Sequence, residues 1–479
     1  MYEKYGLFIG GTWRGASDGG TYSVLNPATE ESLGDAPAAT VDDVEAAIAA
    51  AEDGLKTWRK TQPWERARII RRIGELMQER IEDLARTMTL EIGKPLAQSR
   101  IELQMSIEQF TWYAEETKRI YGQLVEARTP DHRIMITYQP VGVVAAFSAW
   151  NFPAVLSCRK IAPALAAGCA IIVRPSEEGP GTVMGIVKCC EDAGVPPGVV
   201  NLLVGKASKI SAPIMASTAV RKISLTGSTD VGKLIIRQSA DTVKKLSMEL
   251  GGHAPVLVFD DVDPVKAADT LATAKYRNAG QVCVSPTRFY VHEKSKKAFT
   301  ERFVEVAKKL KLGNGLDPET EMGPLATRKR LEDIERMVEQ TRGEGATLLA
   351  GGKRPAGFNR GFFYEPTVFD DVRDDGVLMT EEPFGPVAPL TTFRDFDEVI
   401  ERANSLEMGL AGFVFTSSQK TANAASERLE TGMVGVNTMA IAMAEAPFGG
   451  IKQSGFGREG GSLGIKDYLD VKLTSMVMV

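Results

Sequence analysis

Between residues 141 and 260, short apolar runs alternate with segments of helical periodicity. The runs at 141–147, 169–173, 199–204 and 222–225 have the length of buried strands, and a helix-patterned segment or short connection separates each from the next. Apolar strands that alternate with helices are typical of a parallel, doubly wound sheet. Ligands of such sheets bind beyond the carboxyl ends of the strands, so the residues that end these strands are the first candidates for a functional site.

The rest of the chain predicts three further parts. Helical periodicity covers about residues 41–121, and a second alternating region runs from residue 255 to about 415. Two stretches with alternating apolar residues, 128–139 and 468–479, fit neither region and indicate separate strands. Paired with a neighbouring subunit, such strands would cover an exposed sheet edge. We therefore expect an α/β fold with two α/β domains and a small β element for oligomerisation.

Composition excludes several classes of protein. A chain of 479 residues is too long for one core, and 43% apolar with 25% charged residues excludes disorder of the whole chain. A net charge of −5 with mixed signs predicts no nucleic-acid or membrane partner. Neither a secretory signal nor a bilayer-spanning stretch is apparent. Five cysteines and three histidines without ligand spacing predict neither a disulfide framework nor a metal, and fit a reducing cytoplasm.

Cys283 is the residue that most strongly indicates chemistry. It stands in the run Gly-Gln-Val-Cys-Val-Ser-Pro, whose turn-forming neighbours differ from those of a buried structural cysteine. A thiol in such a turn is a nucleophile if its surroundings favour the thiolate. Taken alone, a cysteine is more often an inert core residue, and this is the simplest interpretation of Cys158, Cys169, Cys189 and Cys190.

Other candidates lie at the predicted strand ends, and each has a structural alternative. Glu249 is either a general base or a buried, paired carboxylate. Asn151 is either a donor to an oxyanion or, as its spacing favours, the N-cap of the next helix. Glu177 either binds an adenosine ribose or is a solvated turn residue. The turn at Gly227 and Ser228 either receives a phosphate or merely caps a helix.

Taken together, these segments resemble the NAD(P)-dependent aldehyde dehydrogenase superfamily along nearly the whole chain. Seven motifs in family order carry the resemblance: Trp150-Asn151-Phe152-Pro153, Arg174-Pro175-Ser176-Glu177, Thr226-Gly227-Ser228-Thr229, Glu249-Leu250-Gly251-Gly252, Gly280-Gln281-Val282-Cys283, Glu382-Pro383-Phe384-Gly385-Pro386 and Pro447-Phe448-Gly449-Gly450. The resemblance implies a cofactor domain at 1–121 and 140–248 and a catalytic domain at 249–445. It also implies oligomerisation strands at 122–139 and 461–479, and a homo-oligomer, either a dimer or a tetramer.

The family mechanism, carried over residue by residue, implies oxidation of an aldehyde to a carboxylic acid. Cys283 attacks the aldehyde carbon, and the Asn151 side chain and the Cys283 backbone N–H hold the oxyanion. Hydride loss leaves a thioester, and Glu249 activates the water that hydrolyses it. Lys160 and Glu459 match positions proposed to relay the proton outward. The coenzyme-A-acylating branch generally lacks the carboxylate of Glu249, so its presence favours the hydrolytic reaction over this alternative.

The resemblance also implies the cofactor site. Glu177 stands where a carboxylate favours NAD, whereas Arg174 replaces the usual lysine and leaves use of NADP open. Gly227 and Ser228 are implied at the pyrophosphate, and Glu382 and Phe384 at the nicotinamide ribose and ring. The complete set of implied cofactor residues is Phe147, Trp150, Arg174, Ser176, Glu177, Gly227, Ser228, Leu250, Gly251, Glu382 and Phe384.

Within the family, the chain looks most like succinate-semialdehyde dehydrogenases. Arg159 and Arg277 match the arginines that bind the distal carboxylate of that substrate. The alternative is that Arg277 ends a helix and that Arg159 lies on a helix surface. Ala442 replaces the serine of that subgroup in an apolar loop, and Ser285 replaces the second cysteine of a redox switch. A longer ω-oxo acid, a lactaldehyde-like aldehyde or an aromatic aldehyde therefore remains an alternative substrate.

Overall fold

The computed structural model describes residue 2 and residues 4–478; residues 1, 3 and 479, at the ends of the predicted segments 1–121 and 461–479, lie outside the described residues. Its first sheet has eight strands. In spatial order these are Thr12–Arg14, Leu7–Ile9, Val200–Leu202, Ala170–Arg174, Val143–Phe147, Val220–Thr226, Lys245–Glu249 and Gly455–Phe456. The five central strands are parallel, whereas Thr12–Arg14, Leu7–Ile9 and Gly455–Phe456 pair antiparallel at the edges.

Helices cover both faces of this sheet, as the alternation of patterns predicts. Helix Val41–Trp58 begins with a capping box in which Thr40 and Asp43 satisfy each other's backbone N–H groups. Three helices begin on proline at the first turn, where no amide hydrogen bond is lost. The helices are Val41–Trp58, Pro63–Glu79, Ile81–Ile92, Leu96–Glu116, Pro153–Ala167, Pro180–Asp192, Ala207–Ala216 and Thr229–Ser239, with 3₁₀ turns at Thr117–Arg119 and Ala240–Thr242.

The second alternating region forms a separate seven-stranded sheet with its own core. In spatial order its strands are Thr347–Ala350, Thr367–Asp370, Val387–Phe393, Pro286–His292, Ala254–Val258, Ala411–Phe415 and Met433–Val436, all parallel except the first. Its helices are Pro264–Tyr276, Glu293–Lys309, Arg328–Gly343, Val377–Thr380, Phe396–Asn404 and Gln419–Arg428, with a 3₁₀ turn at Arg277–Gly280.

The two stretches that fit neither alternating region form a third sheet together with strand Gln123–Glu126. The strand order is Leu469–Val477, His132–Pro140, Gln123–Glu126. Large apolar side chains remain exposed on this sheet, namely Leu124, Val125, Val471, Leu473, Met476 and Val477. Hairpin Thr21–Leu25/Ser32–Pro37 and the pair Met408–Gly409/Ile451–Lys452 complete the strands, and Gly461–Gly464 and Ile465–Tyr468 are short helical turns.

The structure confirms the α/β class and the parallel core of both sheets. Two details of the prediction are wrong. The first sheet is mixed, because short strands from the N-terminus and from Gly455–Phe456 pair antiparallel at its edges. The segment 461–479 is not strand throughout, because residues 461–468 form helical turns before strand Leu469–Val477 begins. In the described part of the chain, no helix is long and apolar enough to cross a membrane.

Candidate active site

The ends of two strands and one loop bring Glu249, Asn151 and Cys283 together. Glu249 ends strand Lys245–Glu249, and Asn151 follows strand Val143–Phe147. The Asn151 amide donates a 3.1 Å hydrogen bond to the carbonyl of Gln281, two residues before Cys283. On the other side, Gly252 packs so closely that a Cβ there would lie 2.8 Å from the Cys283 carbonyl oxygen. The turn formed by residues 249–252 thus packs closely against the loop that carries Cys283.

The loop before Cys283 has an unusual backbone. Asn278, Ala279 and Gly280 have φ angles of 49°, 53° and 74°, all in the left-handed region. A left-handed conformation costs a residue with a Cβ about 1–2 kcal/mol, so the surroundings must hold it. The Asn278 amide does so by donating to the carbonyls of Asn151 and Gln281. The sequence predicted a turn here, but not three successive left-handed residues.

Gly280 offers a test of this loop. A Cβ at Gly280 would lie 2.1 Å from the carbonyl oxygen of Gly385, so Gly280→Ala must displace one backbone or the other. We expect Gly280→Ala to lower aldehyde oxidation by about tenfold or more, because displacing a nucleophile by 1 Å costs up to about 10² in rate. The rate of Cys283 alkylation should fall with it. Gly343→Ala, at a helical glycine with open space around its Cβ position, should leave both rates unchanged; equal rates in Gly280→Ala would contradict this account.

Asn151 is held by a buried pair that the sequence did not indicate. The Lys94 ammonium pairs with Glu102 and donates to the Asn151 carbonyl at 2.7 Å. The other Glu102 oxygen accepts the N–H of Ala154 at 2.9 Å, so Glu102 rather than Asn151 caps helix Pro153–Ala167. The helix-cap interpretation of Asn151 is therefore wrong. One amide hydrogen of Asn151 is used on Gln281, and the second is available to an oxyanion.

Burial shifts the pKa values of Glu249 and Cys283. It raises the pKa of Glu249 to about 7, with a further increase from the charge of Glu459. Burial also raises the pKa of Cys283 well above its usual value, and the charge of Glu249 adds to it. Within the described residues, neither oxygen of Glu249 has a hydrogen-bond partner. A carboxylate with a pKa near neutrality that is free to accept a proton has the properties of a general base.

Lys160 and Glu459 lie behind Glu249. The Lys160 ammonium donates to Glu459 at 2.6 Å and to the Thr226 hydroxyl at 2.7 Å. Both charged side chains are buried, Lys160 completely and Glu459 with 6% exposure. Thr226 is the neighbour of Glu249 across the two parallel strands, so this ion pair is attached to the same sheet end as the candidate base.

The residues implied for a dinucleotide fit such a ligand. Ser228 caps helix Thr229–Ser239 by accepting the N–H of Val231, and the Gly227 N–H donates to the Glu249 carbonyl at 3.1 Å. The N-terminus of this helix, whose dipole favours a pyrophosphate, therefore lies directly after the turn. The Ser176 hydroxyl is buried and, among the described residues, has no hydrogen-bond partner of its own. Gly251 leaves room beside Glu382, whose carboxylate oxygen would lie 3.0 Å from a Cβ at that position. The donors, the helix end and the glycine together suit a phosphate-linked ligand.

Arg174 and Glu177 lie together at the end of strand Ala170–Arg174. The Arg174 guanidinium donates to the Gly205 carbonyl at 2.7 Å and 3.3 Å, and to Glu177 at 3.4 Å. The Glu177 side chain is 41% exposed, whereas that of Arg174 is 10% exposed. The Arg174 guanidinium is thus occupied by hydrogen bonds within the protein, whereas the Glu177 carboxylate remains accessible to a ligand.

Aromatic residues frame the region between the two sheets. The rings of Trp150 and Phe384 meet edge to face with centroids 5.5 Å apart. Phe384 has a φ of 43° and is, after Asn278 and Ala279, a third left-handed residue with a Cβ near the site. Phe147 and Leu250 are buried in the core of the first sheet, where Leu250 packs onto Gly232. The structure therefore brings Trp150 and Phe384 into direct contact, whereas Phe147 and Leu250 pack mainly within the protein.

The two candidate arginines differ in their surroundings. Arg159 is 3% exposed, so the alternative of a surface residue is wrong. Its guanidinium carbon lies 4.2 Å from the centroid of the Phe448 ring, and its Nε and Nη2 have no hydrogen-bond partner among the described side chains and backbone. Its positive charge opposes the increase in the pKa of Cys283 that burial causes. This buried, unpaired guanidinium near the thiol suits an anion.

Arg277 is less enclosed. It occupies the C-cap position of helix Pro264–Tyr276, as the alternative interpretation expected, and is exposed. Its guanidinium carbon lies 5.5 Å from the centroid of the Phe152 ring. It also lines a cavity of about 320 Å³ beside helix Glu293–Lys309, whose lining residues include neither Cys283 nor Arg159. Ala442 is partly buried against the core of the second sheet.

Lys275, near Glu382, is a second buried charged residue that the sequence did not indicate. Burial raises the pKa of the Glu382 carboxyl to about 8, and burial lowers the pKa of Lys275 to about 7. In the described structure, the Lys275 ammonium has no hydrogen-bond partner. Lys275 lies in helix Pro264–Tyr276, and no spacing in the sequence connects it with residue 382. Among residue 2 and residues 4–478, no group of three or more His, Cys, Asp or Glu side chains is arranged to hold a metal ion.

Comparisons with known proteins agree with this arrangement. The 3-sulfolactaldehyde dehydrogenase of Pseudomonas putida is 44% identical over 98% of this chain and 96% of its own. The succinate-semialdehyde dehydrogenase (NADP⁺) of Escherichia coli K12 is 42% identical over 97% of this chain and 96% of its own. An aldehyde dehydrogenase from Bacillus cereus, solved as an NAD⁺ complex, superimposes with a TM-score of 0.97 at 37% identity, covering 99% of this chain and 97% of its own.

The profile of the aldehyde dehydrogenase family matches residues 13–474, nearly the whole chain. This match confirms the family resemblance, the fold and an oxidoreductase that uses a nicotinamide cofactor and acts on an aldehyde. The chain belongs to the aldehyde dehydrogenase family.

Proposed function

We propose that this enzyme oxidises an aldehyde with an anionic group at its far end, and that succinate semialdehyde is the first substrate to test. The observation that carries the proposal is Arg159. Its Nε and Nη2 form one edge of the guanidinium, and neither has a partner in the described structure. Two parallel N–H groups on one edge match the two oxygens of a carboxylate or sulfonate. A buried cation without a partner is costly, so an anionic substrate would satisfy it.

The same geometry supports a covalent mechanism. The Cys283 sulfur attacks the carbonyl carbon and its proton passes to Glu249, while the free Asn151 amide hydrogen and the Cys283 N–H stabilise the oxyanion. When bound, the nicotinamide cofactor accepts the hydride. Glu249 must first release the proton that it took from Cys283, and it then takes a proton from water, whose oxygen attacks the thioester carbon. The leaving sulfur takes this proton back from Glu249, which releases the acid and restores the thiol. A carboxylate with a pKa of about 7 beside Cys283 supports this hydrolytic route rather than transfer to coenzyme A.

For the cofactor, we propose a preference for NAD over NADP. Glu177 is exposed where a ribose would approach, and its charge would repel a 2′-phosphate. Arg174 is the residue that would accommodate this phosphate, but its N–H groups already donate to Gly205 and Glu177. Use of NADP would require those bonds to break.

Two relatives give the range of anionic groups to test. One is a 3-sulfolactaldehyde dehydrogenase and the other a succinate-semialdehyde dehydrogenase, so their substrates end in a sulfonate and a carboxylate, respectively. Ala442 and its neighbours offer no hydroxyl to the tail, which leaves recognition to the guanidinium. A longer ω-oxo acid and a lactaldehyde-like compound therefore belong in the same panel, with an aromatic aldehyde as the uncharged comparison.

Arg159→Met tests the substrate class. We expect kcat/KM for succinate semialdehyde to fall by about 10²-fold, because two charge-assisted hydrogen bonds of about 1.5 kcal/mol each are lost. Butanal, which has no anionic tail, should lose much less activity, namely only the part that depends on the Arg159 charge near the Cys283 thiol. The measurement is NADH formation over the panel, with Arg86→Met, an exposed arginine remote from the site, as the matched control. An equal loss with butanal would show a structural effect and contradict the assignment.

The division of the chain and its assembly are also proposals. Strands of the first sheet come from residues 7–249 and from Gly455–Phe456, and those of the second from residues 254–436, which supports cofactor and catalytic domains close to 1–121 with 140–248 and to 249–445. The exposed apolar side chains on strands Gln123–Glu126 and Leu469–Val477 support a homo-oligomer in which they are covered. Five unpaired cysteine thiols, all within the described residues, support a reducing, cytoplasmic location.

A further inference from the structure

Two neighbouring strands in the first sheet present polar side chains on one shared face. Strands Val220–Thr226 and Lys245–Glu249 are parallel and in register, and every second residue on each is polar. Side chains two apart on a strand point the same way, so the pairs form one ladder. Its rungs are Lys222 with Lys245, Ser224 with Ser247, and Thr226 with Glu249. Central parallel strands are normally apolar on both faces, so this face calls for an explanation.

The catalytic end of the ladder is joined to the buried ion pair. Lys160 bonds both Thr226 and Glu459, and the Ser224 hydroxyl donates to the same Glu459 oxygen at 3.4 Å. Glu249, Glu459 and Ser247 line the same small gap, which is too narrow to hold water, so the candidate base lies beside the ladder.

The opposite end reaches the surface. The fully buried Lys222 ammonium donates to the Ser247 hydroxyl at 2.5 Å, and Ser247 donates to Asp467 at 2.8 Å. Asp467 is half-buried and also accepts the backbone N–H of Arg458 at 3.2 Å. Burial lowers the pKa of Lys222 to about 8. A lysine with this pKa exchanges protons readily near neutral pH.

Tyr468 lies between the two ends. The Lys222 ammonium is 4.9 Å from the centroid of its ring, and burial together with the charge of Glu459 raises the pKa of its hydroxyl. Among the described residues, the Tyr468 hydroxyl and Glu459 Oε2 are buried without hydrogen-bond partners. Each such atom costs about 1–3 kcal/mol. These two oxygens are therefore available to accept a proton.

We propose that the ladder is the route by which the proton taken up at Glu249 leaves to solvent at Asp467. The proposal rests on the proposed hydrolytic function. In each turnover the protonated Glu249 passes one proton to Glu459, which returns Glu249 to its charged form. The hydroxyls of Ser224 and Tyr468 rotate, each accepting one proton and releasing another. The Lys222 ammonium passes a proton through Ser247 to Asp467, which releases it to water, and the neutral Lys222 then accepts the proton that arrives from Tyr468.

Ser247→Ala and Lys222→Met test this route. In dilute buffer we expect proton release, followed with an indicator dye in a stopped-flow instrument, to slow by about tenfold, less than the roughly 10²-fold or greater loss from removing a general base itself. The first burst of NADH should keep its rate. Imidazole should restore turnover, because a small base can carry the proton that the ladder no longer conducts. Ser247→Ala removes one oxygen only and keeps the test open if Lys222→Met does not fold.

Lys244→Met is the matched control. Lys244 is also buried with a pKa that burial lowers to about 8, but its ammonium donates only to the backbone carbonyls of Ser217 and Val220 and to none of the polar side chains of the ladder. This variant should release protons at the wild-type rate. Wild-type proton release in Ser247→Ala in dilute buffer would overturn the proposal, and so would slow release that imidazole does not restore. Failure of the proposed function gives a different result, the absence of NADH formation in the wild-type enzyme.

Discussion

Cys283→Ala is expected to lower aldehyde oxidation by about 10⁴-fold or more, since the variant has no nucleophile with which to form the thioester. The side chain is small enough that the loop held by Asn278 and Gln281 keeps its bonds, which involve no atom of the thiol. Binding of the cofactor, measured by quenching of protein fluorescence, should therefore be unchanged. The activity measurement is NADH formation from succinate semialdehyde and NAD.

Cys189→Ala is the control for this variant. Cys189 is buried in helix Pro180–Asp192, where its sulfur lies 3.7 Å from a nitrogen of Arg80, so its loss should leave the oxidation rate intact. Iodoacetamide should label Cys283 alone in the folded enzyme, because the other four cysteines are buried. Comparable activity in Cys283→Ala and wild type would exclude a thioester mechanism. An unlabelled Cys283 in the wild type would favour a binding protein that has lost catalysis.

The position of the site could be predicted because it depends on strand order. Residues 151, 177 and 249 each follow an apolar run, and parallel strands bring such ends to one edge of the sheet. The structure indeed joins the segment of Asn151 to the loop of Cys283 by a hydrogen bond. What the pattern could not give was the edge strand Gly455–Phe456, because a two-residue strand has no periodicity to detect.

The polar supports of the site were beyond sequence reasoning for a different reason. Lys94 lies just before helix Leu96–Glu116, which carries Glu102, and this pair bonds the backbone at Asn151 and Ala154. The two segments are far apart in the sequence and adjacent only in three dimensions, so no spacing rule connects them. Local preference disfavours the left-handed backbone at Ala279, which lies between Asn278, held by its hydrogen bonds, and Gly280, which packs against Gly385. The alternation of Lys222 and Ser224 was visible in the sequence, but the register that places Lys245 and Ser247 beside them belongs to the pairing of two strands and not to either run alone.

Glu249→Gln separates the two halves of the reaction. We expect one burst of NADH per active site that reaches close to the wild-type amplitude, although more slowly because glutamine cannot accept the Cys283 proton. Turnover after the burst should be slower by about 10²–10⁴-fold, the usual contribution of a general base. Glutamine keeps the shape of the side chain but cannot take a proton from water, so the thioester accumulates. Rapid-mixing absorbance at the NADH band measures the burst, and mass spectrometry of the quenched protein measures the acyl group on Cys283.

The pH dependence gives an independent check on the same residue. Burial, and then the charge of Glu459, raises the pKa of Glu249 to about 7, and only the deprotonated form accepts a proton. Wild-type turnover should therefore fall as the pH drops below about 7, and the residual turnover of Glu249→Gln should lose this dependence. Glu445→Gln, at an exposed position in a nearby loop, should follow the wild-type profile. Normal turnover in Glu249→Gln would require another group to activate the water, and the unpaired carboxylate oxygens facing Cys283 would then need a different explanation.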